Sequence, residues 1–144
     1  MVSCSAIADR SYIVINGLSK HHDLSPYFQK RGLNERHDGL GIEREDDSGW
    51  FYAVGWLKDS IRHTQPYATV GKVYSKRYRW LETDLKINGL LSARADKGNY
   101  RRPLFGVLPS LAIGTKFVKL EASYIPKFKF NDVALVFVQL KIGI

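Results

Sequence analysis

Only one cysteine, Cys4, occurs in the 144 residues, so the chain cannot close an internal disulfide. It lies close to the N-terminus and reads as incidental rather than redox-active or lipid-bearing. Long apolar runs are missing too: no segment approaches the roughly 20 apolar residues a membrane helix requires, and none keeps a helical period. Zinc-type spacing, a P-loop, a nucleophile elbow and a dinucleotide fingerprint are all absent, so the sequence implies no metal and no cofactor. Met1 to Arg10 has neither a basic start nor a continuous apolar stretch. It therefore does not read as a secretory signal, which points to a cytoplasmic chain or to a mature form with a restored methionine. A β-barrel would pass every one of these exclusions and still cross a bilayer, because its strands are short and carry a weak hydropathy signal.

What the chain does have is positive charge and short alternating runs. Lysine and arginine number 22 against 14 aspartate and glutamate, a formal charge of +8 that favours anionic partners: nucleic acid, phosphorylated lipid or nucleotide. The length suits one domain, residues 1–144 with 1–10 as a short arm, large enough to bury a core without metals or disulfides. Runs rich in β-branched and aromatic residues span Ser11 to Gly17, Gly39 to Glu45, Trp50 to Lys58, Tyr67 to Tyr78, Asp84 to Ala93, Pro103 to Ile113, Lys116 to Tyr124 and Asp132 to Ile142. Turn residues separate them, most clearly Asp46-Asp47-Ser48-Gly49 and Ala95-Asp96-Lys97-Gly98-Asn99. These runs predict an all-β fold, an eight-stranded antiparallel up-and-down β-barrel with its first and last strands adjacent, since closure removes the exposed edges of an open sheet.

Alternation within the runs divides each into two faces. Val136, Val138, Leu140 and Ile142 share one parity, while Val133, Leu135 and Phe137 on the other give way to Gln139 and Lys141. Val118, Leu120 and Tyr124 oppose Lys119, Glu121 and Ser123, and Leu85, Ile87 and Leu91 oppose Lys86, Asn88 and Ser92. Such a pattern describes equally a soluble barrel with an apolar core and a membrane barrel with an apolar exterior. In a meander the first and third strands end on one rim, so His21 after the first run and Asp59-Ser60 after the third are expected to converge there. Arg101 and Arg102, beside Tyr100, suit an anion-binding pair, because guanidinium forks match phosphate oxygens. Lys76-Arg77-Tyr78-Arg79-Trp80 interleaves base and aromatic as single-strand binders do, but interfacial girdles use the same residues, and nucleic-acid binding is the weaker reading.

Taken together, these segments are familiar. Tyr12-Ile13-Val14-Ile15-Asn16-Gly17 leads to Ser19-Lys20-His21, followed by Asn34-Glu35-Arg36 with Gly39 and Gly41, then Lys58-Asp59-Ser60. Ala93-Arg94-Ala95-Asp96, Asn99-Tyr100, Leu108-Pro109 and Tyr124-Ile125-Pro126 continue the order. From Tyr12 to Ile144 the chain resembles the PagP family, the lipid A palmitoyltransferases of bacterial outer membranes. The resemblance implies an eight-stranded outer-membrane barrel that moves a palmitoyl chain from phospholipid to lipid A. The histidine of that family's Thr-Trp-His segment falls on His21, and its Lys-Asp-Ser segment falls on Asp59 and Ser60 without a gap. It further implies an acyl chain held inside the outer half of the barrel, against Val133, Leu135 and Phe137. The chain departs from the family in having no N-terminal amphipathic helix, no visible signal peptide and no aromatic residue at its end, Lys141-Ile142-Gly143-Ile144.

Acyl transfer requires a base, a group that holds it and donors for the oxyanion. His21 would be the base, Asp59 its orienting partner, and Ser60 a hydrogen-bonding or nucleophilic hydroxyl. Two functions follow. One is a PagP-like acyltransferase of the outer membrane acting on phospholipid and lipid A or a related acceptor. The other is a non-enzymatic barrel, intracellular or part of an assembly, holding an apolar or anionic small ligand.

Overall fold

A computed structural model describes residues 9–22, 36–58, 63–95, 101–126 and 134–144. Eight antiparallel strands close into a barrel in chain order: β1 (Arg10–His22), β2 (Arg36–Glu45), β3 (Trp50–Lys58), β4 (Thr64–Tyr78), β5 (Leu81–Ala95), β6 (Arg101–Gly114), β7 (Val118–Ile125) and β8 (Ala134–Gly143). Closure is made by β1 against β8, with Ile13 opposite Ile142 and His21 opposite Leu135. β3 keeps the limits its sequence suggests, whereas β1 runs on past Gly17 to His22. The reason is a bulge: Asn16 pairs with Gln139 but Ser19 with Phe137, so Gly17 and Leu18 share the space opposite Val138. An extra residue in one strand lets the ladder resume beyond a kink, here at a glycine. His21 is thus a strand residue and not, as its sequence context suggests, the start of a loop.

The two rims differ. At one, residues 46–49, 79–80 and 115–117 make short turns, and both described chain ends lie there. At the other, the connections are 23–35, 59–63, 96–100 and 126–133. The 46–49 turn is built around Asp46, whose Oδ1 accepts from Ser48 N at 3.0 Å, Ser48 Oγ at 2.6 Å and Trp50 N at 2.9 Å. These donors, the Ser48 hydroxyl foremost, hold the carboxyl below its ordinary range. Gly49 adopts φ +82°, which a side chain disfavours.

The structure decides which face the apolar parity takes: it points outward. Val118, Leu120 and Tyr124 are exposed while Lys119, Glu121 and Ser123 are buried, and β5 repeats the division with Leu85, Ile87 and Leu91 against Lys86, Asn88 and Ser92. The aliphatic surface of Ile13, Ile42, Val54, Val70, Ile87 and Leu111 is bordered by aromatic residues toward both rims. Trp50, Tyr78, Trp80 and Phe117 lie near the short turns, and Trp56, Phe105 and Tyr124 toward the other end. Lys72, on this outer face, reaches back to the short-turn rim, where its ammonium stands 4.7 Å from the Trp50 ring and donates to the Ser48 carbonyl at 3.0 Å. A long side chain can cover apolar surface in this way while keeping its charge at the edge.

Candidate functional site

The interior changes character along its axis. In the short-turn half, five carboxylates (Glu43, Glu45, Glu82, Asp84 and Glu121) meet five cations (Lys86, Lys119, Lys141, Arg10 and Arg77). Lys141 bridges Glu43, at 2.7 Å, and Glu121. Lys86 binds Glu43, lies 3.3 Å from both Glu45 and Glu121, and stands 4.1 Å over the Phe51 ring. Lys119 reaches Asp84 at 2.5 Å and Glu82 at 3.1 Å, and Arg10 joins Glu82 at 2.6 Å. Alternate positions of β1, β2, β4, β5, β7 and β8 supply these groups, and with five of each sign the cluster is formally neutral. A buried charge is tolerable only when paired and hydrogen-bonded.

Above the charges lies a layer of amides and hydroxyls. Gln139 donates to Asn16 Oδ1 at 2.5 Å, and Asn16 donates to the Trp56 carbonyl at 3.1 Å and Tyr67 Oη at 3.4 Å. Tyr67 has space because Gly41 and Gly55 lack side chains: a Cβ at Gly41 would lie 2.4 Å from its hydroxyl. Ser110 and Ser123 hydroxyls meet at 2.8 Å.

Beyond this layer the interior is mixed, with Ser19, His37, Gln65 and Ser92 standing among apolar side chains. A cavity of about 140 Å³ has Leu57, Leu90, Ile125, Leu135 and Phe137 among its walls and reaches down to Glu43 and Glu121. Of the pocket residues expected from the sequence, Leu135 and Phe137 line it, and Val133 lies outside the described residues. Gln139 lines its lower part, and Lys141 belongs to the charged cluster beneath. Toward the long-connection rim the wall between β6 and β7 is not laddered: the pairing runs only from Ser110–Ser123 to Gly114–Lys119, although β6 continues to Arg101. The next residue of β6 is Pro109, which has no N–H.

The expected catalytic residues are only partly placed. His21 lies on β1, its backbone opposite Leu135, which lines the cavity, while Asp59 and Ser60 fall outside the described residues, directly after the end of β3 at Lys58. Arg101 and Arg102 open β6 opposite Ala95 and Arg94.

Sequence reasoning missed His37. It is buried on β2, lines the cavity, and packs edge-on to Phe137 at a centroid distance of 5.3 Å. Its Nε2 lies 2.6 Å from Ser19 Oγ, and its Nδ1 2.5 Å from the Lys58 carbonyl oxygen. The one signal in the sequence was its place on the inward parity of β2 with Glu43 and Glu45, legible only once the inner face is known to be the polar one. Among the described residues no cluster of histidine, cysteine and carboxylate side chains could hold a metal ion. Compared with known protein families and with curated proteins, the chain matches none.

Proposed function

We propose that the chain is a PagP-like acyltransferase set in an outer membrane, moving a fatty acyl chain from phospholipid to lipid A or a related acceptor. One observation carries the reading: an apolar, aromatic-bordered exterior encloses a half-cavity with mixed walls, Leu57, Leu90, Ile125, Leu135 and Phe137 among them, and a charged floor. An exterior of this kind suits lipid, and the asymmetry of short turns against longer connections is that of transmembrane barrels. A cavity that lies toward the long-connection rim and ends on Glu43 and Glu121 suits a single alkyl chain entering tail first, with its ester left near that rim. Eight strands leave room for little more than one such ligand.

In this reading His21 takes the proton from the acceptor hydroxyl, Asp59 orients it, and Ser60 donates to the reacting ester or attacks it. Arg101 and Arg102 meet the phosphates of donor or acceptor. The test is transfer of labelled acyl groups from phosphatidylcholine to lipid A by the folded barrel in detergent, followed by separation of the lipid products. Labelled lipid A is expected from the unaltered chain, and none from His21→Ala or Ser60→Ala with the barrel still folded. Unmodified lipid A in the presence of folded protein that retains phospholipid would overturn transfer and leave a barrel that only holds its ligand.

A further inference from the structure

The Ser19 and His37 pair uses none of the residues assigned to acyl transfer above, although Ser19 precedes His21 by two residues on β1 and the carbonyl that His37 meets belongs to Lys58, next to Asp59; its geometry is that of a nucleophile and its base. The Lys58 carbonyl can only accept, so His37 keeps its hydrogen on Nδ1 and donates it there at 2.5 Å. Nε2 is then left with its lone pair toward Ser19 Oγ, which donates to it at 2.6 Å. A backbone carbonyl thus fills the orienting position that a carboxylate fills in other triads, and such sites are recognised by geometry and role rather than by sequence order.

Two features of the barrel build the pair. Strict alternation from Tyr12, Val14 and Asn16 would send Ser19 outward, but the bulge at Gly17 and Leu18 reverses the parity, leaving Leu18 exposed and Ser19 buried. Bulges re-aim side chains in this manner beside active sites. The Phe137 edge then fixes the His37 ring in the cavity wall, at the end away from the charged floor. An alkyl chain lying in the cavity with its tail toward Glu43 and Glu121 would bring its ester to this level.

We propose that Ser19 and His37 form a second acyl-handling centre, in which Ser19 Oγ carries a long-chain acyl group taken from an ester lipid. Ser19 Oγ bonds to the ester carbonyl carbon as His37 Nε2 takes the hydroxyl proton. The carbonyl carbon's bond to the glycerol oxygen breaks, and that oxygen leaves with the proton from Nε2. In the second half an acceptor hydroxyl, or water, gives its proton to Nε2 and takes the acyl group, and the proton returns to Ser19 Oγ. The atoms balance with no further reactant.

The test uses the folded barrel in detergent and a long-chain alkyl fluorophosphonate, with the modified residue located by peptide mass analysis. An adduct on Ser19, distinct by peptide from any on Ser60, is expected, its formation slowed at least about a hundredfold in His37→Gln, the scale of a lost general base. Ser60→Ala should leave this labelling unchanged, which separates the proposal from the transferase reading. Ser19→Cys covers the case in which Ser19→Ala does not fold: the thiol it introduces should react with iodoacetamide faster than Cys4. Absence of a Ser19 adduct on the folded barrel, labelling indifferent to His37→Gln, or a thiol in the Ser19→Cys variant no faster than Cys4 would each reduce the pair to a clasp between β1 and β2.

Discussion

Lys141 shows how much one buried charge can carry. Its ammonium is shared between Glu43 and Glu121, and it is 1 % exposed. Replacing it by methionine keeps the volume but leaves Glu43 and Glu121 with only Lys86, which Glu45 also shares, and removing one partner of a buried pair typically costs about 3–5 kcal/mol. Lys141→Met is therefore expected to lower unfolding stability by that amount, measured by denaturant titration of the detergent-solubilised barrel. A loss under about 1 kcal/mol, well below that range, would mean that the cluster repacks around the gap. Replacing Glu43 with glutamine in the same chain should recover part of the loss, since one uncompensated charge goes with it. Such clusters are better understood as fixing register than as maximising stability, because Lys141 can satisfy Glu43 only when β8 sits in one position relative to β2.

At the scale of the strand, the outward face is a matter of position along the axis. Ile87 lies near the middle of β5 and is 52 % exposed, while Tyr78 ends β4 beside a short turn. If the exterior meets lipid as proposed, arginine at Ile87 should cost about 2–4 kcal/mol, the depth-dependent penalty near the bilayer centre, and arginine at Tyr78 about 0–1 kcal/mol. Folding into phospholipid vesicles against urea measures both. Equal costs at the two positions would remove the membrane from the account. The strands themselves were largely legible in the sequence, because period-two alternation is local and β3 in particular is preceded by Gly49 and followed in the sequence by Asp59-Ser60. The far half of β1 was not. Gly17 reads as a strand end, and only the partner strand β8, which takes up pairing again at Phe137, shows that it is a bulge.

For the whole molecule, the distinction that matters is between a pore and a pocket. The charged cluster runs across the lumen from Glu43 to Glu82 and carries equal numbers of both signs, so its charges compensate one another without counter-ions from outside. The unaltered barrel in a planar bilayer is expected to pass no steady ion current, and stepwise conductance would show that the cluster is not a seal. If the cluster seals the lumen in this way, a ligand of the proposed kind can enter only from the opposite end.

Sequence alone determined the number of strands, their limits within a few residues except at the far end of β1, the antiparallel order and the presence of two unlike faces, since most of these depend on residues near one another in the chain. It did not determine which face is inside. Alternation has the same period whether the apolar side meets a core or lipid, and only closure of the barrel, with Lys86, Lys119 and Lys141 arriving from three strands to meet carboxylates across the lumen, decides the question. The Ser19 and His37 pair was beyond the sequence for the same reason. One residue is turned inward by a bulge defined on β8, the other is oriented by a carbonyl of β3, and neither relation exists until the strands are side by side.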